Sequence, residues 1–181
     1  MYDIIIKNGK IIDGTNTPWF WGDVAIKDDK IAEIGPNICG KANAKKVIDA
    51  KGKIICPGFI DVHNHTDRTI HKTPEAECCV RQGVTTLVVG NCGMALAPVT
   101  ELNRTTVQNG IDTWQPGVAL NWSTFDEYFN ELDKLKTTVN LAVLVGHNAL
   151  RESVMGKSEG SSSALQLKKM KSVLNDALEI G

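Results

Sequence analysis

The chain has 181 residues, with 20 basic and 21 acidic side chains and a formal net charge of −1. This length allows one domain with a substantial core, or one domain plus a small lobe. The balanced charge argues against a nucleic acid or an anionic membrane as a partner. No apolar run approaches the roughly 18–20 residues needed to span a bilayer, so no membrane partner is expected.

The cysteines indicate a reducing compartment. There are five of them, an odd number, and no two have C-x-x-C spacing. A disulfide scaffold or a zinc ribbon is therefore disfavoured. The start, Met1-Tyr2-Asp3, lacks the basic residues and apolar stretch of a signal peptide. We expect a cytoplasmic protein.

Residues 1–56 predict a small antiparallel lobe built from three successive hairpins. Turns are expected at Asn8-Gly9, at Asp28-Asp29 and near Lys51-Gly52, each between short runs rich in Ile and Val.

From Pro57 the pattern changes to alternating strands and helices. Strands are expected at 57–65, 85–92 and 139–147. Helices are expected after Thr73, from Ser123, and after a Ser163–Gln166 cap. The connection 93–122 is predicted to be a long loop that forms a lid or a pocket wall.

Three β–α pairs indicate a parallel sheet, either a doubly wound open sheet or part of a barrel. No G-x-G-x-x-G follows a strand, which weakens the dinucleotide-binding version. Polar residues follow the strands, where barrel active sites are built, and a whole barrel takes roughly 250 residues. The predicted fold class is α/β, with a small antiparallel β-sandwich lobe (1–56) and the first three βα units of an incomplete TIM (β/α)₈ barrel (57–181).

The segment Pro57–His65 is the main candidate for chemistry. If it is a strand, His63 and His65 project from one face and could bind the same metal ion. Asp61 lies on that face and could orient an imidazole. The alternative is a pair of surface histidines near a strand end.

Cys92, at the end of the next predicted strand, could complete this metal site. Imidazole and thiolate both suit Zn²⁺, and a site with three protein ligands is typical of catalytic zinc. Such a site favours hydrolysis of an amide or a related bond. The alternative for Cys92 is an inert buried thiol.

His147 and Arg151 follow the third predicted strand and could lie at the mouth of a pocket. Arg151 could bind a substrate carboxylate with two hydrogen bonds. A packing histidine and a solvated arginine are equally compatible with the sequence.

Five collinear segments resemble the amidohydrolase superfamily, and more narrowly its N-acyl-D-amino-acid deacylase (D-aminoacylase) branch: Asp3–Ile12, Pro57–His65, Arg81–Thr86, Val89–Gly93 and Val145–His147. Gly-Asn-Cys-Gly around Cys92 is the most specific of them. At the metal bridge, relatives typically have a carbamylated lysine where this branch uses a cysteine.

The resemblance implies a β-sandwich lobe, built from both chain ends, on a (β/α)₈ barrel, and zinc-dependent deacylation of N-acyl-D-amino acids. It implies that His63 and His65 share one metal position and that Cys92 takes the tighter or bridging one. It also implies two later histidine ligands and a later aspartate that acts as general base. The sequence contains only His71 and His147 besides the H-x-H pair, so these three residues are expected beyond Gly181, and this polypeptide alone should be inactive.

Two other functions remain open at this stage. One is a dihydroorotase-like or hydantoinase-like cyclic amidohydrolase. The other is a short, non-catalytic metal-binding or assembly protein, whose open sheet edge would be covered by a homo-oligomer or by a second chain that supplies the missing half.

Overall fold

The computed structural model describes residues 1–180 as a mixed α/β structure. The chain divides into two compact units, Met1–Pro57 and Gly58–Gly181. Gly181, which the sequence analysis puts just after the last helix, lies outside the described residues.

The first unit contains a mixed sheet of strands β1 (Tyr2–Ile11), β2 (Phe20–Lys27), β3 (Lys30–Gly35), β4 (Ala44–Asp49) and β5 (Ile54–Ile55). Its order is β3-β2-β1-β4, and β5 also pairs with β1. The predicted β2–β3 hairpin is present, and both turn residues, Asp28 and Asp29, have positive φ angles as a tight hairpin turn requires.

The predicted hairpin at Asn8-Gly9 is wrong, because β1 continues through both residues. Asn8 has φ 62°, and the pairing of β1 with β2 shifts register between Ile6 and Gly9. The carboxylate of buried Asp23 accepts the freed N–H of Asn8 at 2.9 Å. The Asn-Gly pair therefore forms an irregularity within a strand instead of a turn between two strands.

The predicted hairpin near Lys51-Gly52 is also wrong. β4 and β5 do not pair with each other; both run parallel to β1, one after the other. The turn between them is joined to β1 at each end, where Ala50 N–H donates to Lys7 O and Lys10 N–H donates to Lys53 O. The lobe is therefore not purely antiparallel.

The second unit contains a parallel sheet in the order β6-β7-β8. Its strands are β6 (Phe59–Asp61), β7 (Val84–Val89) and β8 (Asn140–Val143). Three parallel strands were predicted in this part of the chain. The observed β6 and β8 are shorter than their predicted segments, since the polar residues lie in the loops that follow them.

The described helices are α1 (Glu77–Val80), α2 (Arg104–Trp114), α3 (Phe125–Leu135), α4 (His147–Met155) and α5 (Ala164–Ile180). α1 begins later than predicted because Ala76 has a left-handed φ of 41°. α2 lies in the region that was predicted to be a long loop, and α4 begins at the position where the third strand was predicted to end.

Side-chain caps fix the starts of α3 and α5. At α5, Ser163 and Gln166 form the predicted reciprocal pair of hydrogen bonds. At α3 the cap is Thr124 with Glu127, one residue after the predicted Ser123.

The core of the second unit forms between the sheet and the helices. Leu87 and Val89 of β7 are fully buried, and they belong to the same apolar cluster as Ile111, Trp122 and Tyr128. This packing fixes the end of β7, from which the candidate site is built. Among residues 1–180, no helix is long and apolar enough to cross a membrane.

Candidate metal centre

His63 and His65 lie in a tight turn after β6, not on the strand that was predicted to carry them. Asp61, the last residue of β6, accepts a hydrogen bond from the backbone N–H of His63 at 3.1 Å and another from Nδ2 of Asn64 at 2.7 Å. The backbone N–H of Asn64 donates to Val88 O on the neighbouring strand at 3.0 Å. The turn is therefore fixed to both β6 and β7.

Asp61 is predicted from the sequence to orient an imidazole, but in the structure its carboxylate binds the backbone of the turn. The hydrogen bond from Asn64 lowers the pKa of Asp61, and the bond from the His63 N–H lowers it further. Asp61 therefore remains ionised under ordinary conditions and positions His63 through the main chain.

Cys92 lies in a short turn directly after β7. Gly90, Cys92 and Gly93 have φ angles of 78°, 56° and 74°. A left-handed backbone is unfavourable for cysteine, so the surrounding contacts must maintain it. Nδ2 of Asn91 supplies two of these contacts, to Val88 O at 2.8 Å and to Asn64 O at 3.3 Å.

Close backbone packing also restrains the Cys92 turn. A Cβ at Gly90 would lie 2.5 Å from Leu144 O, and one at Gly146 would lie 2.6 Å from the backbone of Gly93. Glycine is required at both positions, because any larger residue would push the loop after β8 away from the Cys92 turn.

The two turns bring the three predicted ligands together. Sγ of Cys92 lies 3.4 Å from Nε2 of His63 and 3.5 Å from Nε2 of His65. One ligand atom from each residue falls within 4.8 Å of the others. His63 and Cys92 are exposed and His65 is partly buried.

These distances fit a tetrahedral metal ion. With Zn–N about 2.1 Å and Zn–S about 2.3 Å, tetrahedral geometry separates a nitrogen and a sulfur ligand by about 3.6 Å. The two observed separations agree with that value, and the donor set of two imidazoles and a thiolate is one that zinc favours. The residues present therefore fit a zinc ion.

His147 and Arg151 lie on the first two turns of α4, outside this cluster of ligands. His147 is exposed. The guanidinium of Arg151 donates to Ser158 O at 2.8 Å and to Gly160 O. In this arrangement Arg151 holds the loop after α4, and a substrate carboxylate would have to compete with those carbonyl groups.

Two asparagines that join the turns were not predicted from the sequence. Asn64 bonds to Asp61 and to β7, and Asn91 bonds to the turn that carries the histidines. Their position next to candidate ligands was the only available signal, because an asparagine in a loop is common for many other reasons.

Known proteins resemble this chain in sequence. The sequence pattern of the amidohydrolase family matches residues 46–179. D-aminoacylase from Alcaligenes xylosoxydans xylosoxydans is 32% identical over 180 residues, covering 99% of this chain and 36% of that protein.

Two solved structures are similar to the whole fold. One, a D-aminoacylase with a binuclear metal centre, matches with a TM-score of 0.87 and 35% identity over 100% of this chain and 37% of that one. The other is an N-acyl-D-glutamate deacylase from Bordetella bronchiseptica, complexed with zinc and a phosphonate inhibitor that mimics the tetrahedral intermediate. It matches with a TM-score of 0.83 and 36% identity, over 98% of this chain and 36% of that one.

The chain thus spans about a third of the length of these relatives. The matches confirm the resemblance to the D-aminoacylase branch over the N-terminal portion of those proteins. The chain belongs to the amidohydrolase family.

Proposed function

We propose that the chain is part of a zinc-dependent hydrolase that removes the acyl group from N-acyl-D-amino acids. The observation that carries this proposal is the convergence of Cys92 with His63 and His65, at separations of 3.4 and 3.5 Å that suit a tetrahedral ion. The relatives with the same fold are deacylases, and one of them was solved with zinc.

In this proposal His63, His65 and Cys92 hold the metal. Bound zinc would supply Lewis-acid polarisation of the amide carbonyl and activation of water. Asp61 and Asn91 keep the two ligand turns at a fixed separation through their hydrogen bonds to the backbone. The general-base aspartate and the remaining ligands would come from residues beyond Gly181.

His147 and Arg151 remain proposed substrate-binding residues. Their support is their position on α4, whose N-terminal glycine packs against the Cys92 turn. Arg151 could exchange its contacts with the backbone carbonyls for a substrate carboxylate, to which a guanidinium binds more strongly.

The proposed architecture is a β-sandwich lobe, of which residues 1–56 form the N-terminal part, followed by a (β/α)₈ barrel that begins in residues 57–181. Exposed apolar side chains on β6 support further strands or a partner beside it, since Phe59 and Ile60 are 57% and 63% exposed. Five free cysteines support the cytoplasm as the proposed compartment.

The test uses the full-length protein as its source cell makes it, loaded with zinc. It should hydrolyse N-acetyl-D-amino acids in preference to their L-enantiomers, and Cys92→Ala should abolish this activity. The 181-residue polypeptide alone should be inactive, because it lacks the general base. Hydrolysis of cyclic imides without deacylation of N-acyl-D-amino acids would instead assign the protein to the dihydroorotase-like or hydantoinase-like class.

An intact mass of 19.7 kDa for the cellular protein would favour the non-catalytic alternative, or a separate chain that supplies the missing half. A stable oligomer by light scattering would then be expected, because the open edges of the parallel sheet need a cover. A larger mass would favour the enzyme.

A further inference from the structure

The second nitrogen of His65 has no assigned role in the metal site. Nε2 faces Cys92, so Nδ1 points away from the ligand cluster. Nδ1 is buried and has no hydrogen-bond partner among the described residues. A metal-binding histidine ordinarily donates its other ring N–H to a carboxylate, a carbonyl group or water, which fixes both the tautomer and the orientation of the ring.

A buried carboxylate lies two residues further along the chain. Asp67 is 1% exposed, although an ionised carboxylate is almost never buried without a partner. Neither of its carboxylate oxygens has a hydrogen-bond partner within residues 1–180. An unpaired polar group in such a position costs about 1–3 kcal/mol, and more if it is charged.

Burial and the neighbouring charges act on this carboxylate in opposite directions. Burial raises the pKa of Asp67, while Arg68 and His65 act in the opposite direction through their charges. The backbone N–H groups of Gly90 and Arg68 also lower this pKa, but they do not complete hydrogen bonds to the carboxylate.

The fold keeps Asp67 in this position. It sits in a single turn of 3-10 helix, Thr66–Arg68, which begins at His65 itself. The backbone N–H of Arg68 donates to His65 O at 3.0 Å, so the main chain of His65 and that of Asp67 move together. The two unpartnered groups are therefore carried by the same short stretch of main chain.

We propose that Asp67 is a positioning residue for His65: its carboxylate accepts the hydrogen bond from Nδ1–H, directly or through one water molecule. This contact holds the imidazole as the Nδ1–H tautomer and leaves the lone pair of Nε2 for the metal. The inference rests on the metal site of the proposed function and not on the identity of the substrate.

Tyr128 is another side chain that could satisfy Asp67. Its hydroxyl is buried and unpartnered among the described residues, and the charge of Asp67 contributes to a raised pKa of Tyr128. A hydrogen bond from this hydroxyl would occupy one carboxylate oxygen and leave the second for His65, so Tyr128→Phe separates the two contacts.

The experiment measures two properties of the full-length protein: the zinc dissociation constant by chelator competition, and the His65 tautomer of the metal-free form by ¹⁵N NMR of labelled histidine. Asp67→Asn should weaken zinc binding by about 10–100-fold, the range typical of outer-shell partners. It should also convert His65 from Nδ1–H to a mixture of tautomers. Tyr128→Phe should leave the tautomer unchanged. Asp176→Asn, the same chemical change at an exposed position on α5, should change neither property.

Each result has a separate meaning. A wild-type protein that does not bind zinc contradicts the proposed function, whereas wild-type zinc affinity and an unchanged tautomer in Asp67→Asn overturn only the role of Asp67. If Asp67→Asn fails to fold, the metal-free wild type decides, because a predominant Nε2–H tautomer of His65 would overturn the proposal.

Discussion

Sγ of Cys92 lies 3.4 Å from Nε2 of His63, although the two residues are 29 positions apart in the sequence. The separation is small because β6 and β7 are neighbouring parallel strands, so the turns at their carboxyl ends meet at the same edge of the sheet. The candidate ligands belong to two different turns, and each turn can be tested separately.

We expect Cys92→Ala to weaken zinc binding by more than about 100-fold, because loss of a direct ligand should exceed the 10–100-fold effect of an outer-shell partner. Zinc affinity would be measured by chelator competition on the full-length protein. Cys56→Ala makes the same chemical change at an exposed cysteine outside the ligand cluster and should have no effect. His71→Ala should also have less effect than Cys92→Ala. Equal losses in Cys92→Ala and His71→Ala would remove Cys92 from the site.

Gly146→Ala should weaken zinc binding by displacing the Cys92 turn. The added methyl group would lie 2.6 Å from the backbone of Gly93, which cannot be relieved by rotation of a side chain. We expect a fall in both zinc affinity and melting temperature.

The matched control for Gly146→Ala is Gly110→Ala. Gly110 lies inside α2, and a Cβ there meets nothing within 4 Å. Alanine should stabilise that helix by roughly 0.5–1 kcal/mol. Zinc affinity that is unchanged in Gly146→Ala would show that the Cys92 turn does not depend on this packing.

The convergence of His63, His65 and Cys92 could be predicted from the sequence because it depends on a simple rule of parallel sheets. Residues after neighbouring strands meet, whatever the local conformation of each turn. The conformation itself could not be predicted. The alternation of His63 and His65 suggested an extended strand, but the side chain of Asp61 binds the His63 N–H and ends β6 early.

Predictions that rested on local sequence preferences were wrong where tertiary contacts opposed those preferences. Asn8-Gly9 is a strong hairpin signal, yet β1 continues because β2 pairs with it on both sides of the irregularity and Asp23 binds the Asn8 N–H. Helix α2 was missed because its apolar positions are few and it contains a glycine. Its buried residue, Ile111, packs in a core that forms only when the chain has folded.

Thr124→Ala should destabilise the second unit by about 1 kcal/mol, the usual loss on removal of a helix cap. The Thr124 hydroxyl accepts the Glu127 N–H at 3.2 Å, and the Glu127 carboxylate accepts the Thr124 N–H at 3.2 Å. Denaturant unfolding would measure the change. Thr105→Ala, at an exposed position within α2, should be neutral or slightly stabilising, since alanine favours helix interiors. Equal effects of the two substitutions would contradict the role of the cap.

The buried ring of His71 should make the stability of the protein depend on pH. The ring stacks on Trp122 with 5.4 Å between centroids, and neither nitrogen has a hydrogen-bond partner in the described part of the chain. Burial lowers the pKa of His71 below the usual value of about 6.5. Between the lowered pKa and about pH 6.5, His71 therefore takes up a proton in the unfolded chain but stays neutral in the folded protein. The free energy of unfolding falls as the pH decreases from about 7 through the lowered pKa.

His71→Phe keeps the stacking but cannot take up a proton, so its free energy of unfolding should fall less over this range. Denaturant midpoints between about pH 7.5 and pH 5 would show the difference, with a chelator present because zinc binding itself depends on pH. Glu131, whose charge acts on this ring, is common to both proteins. His147→Gln, at an exposed histidine, should retain the wild-type slope. If His71→Phe and the wild type lose stability in parallel, the proton is taken up elsewhere and His71 is not the group responsible.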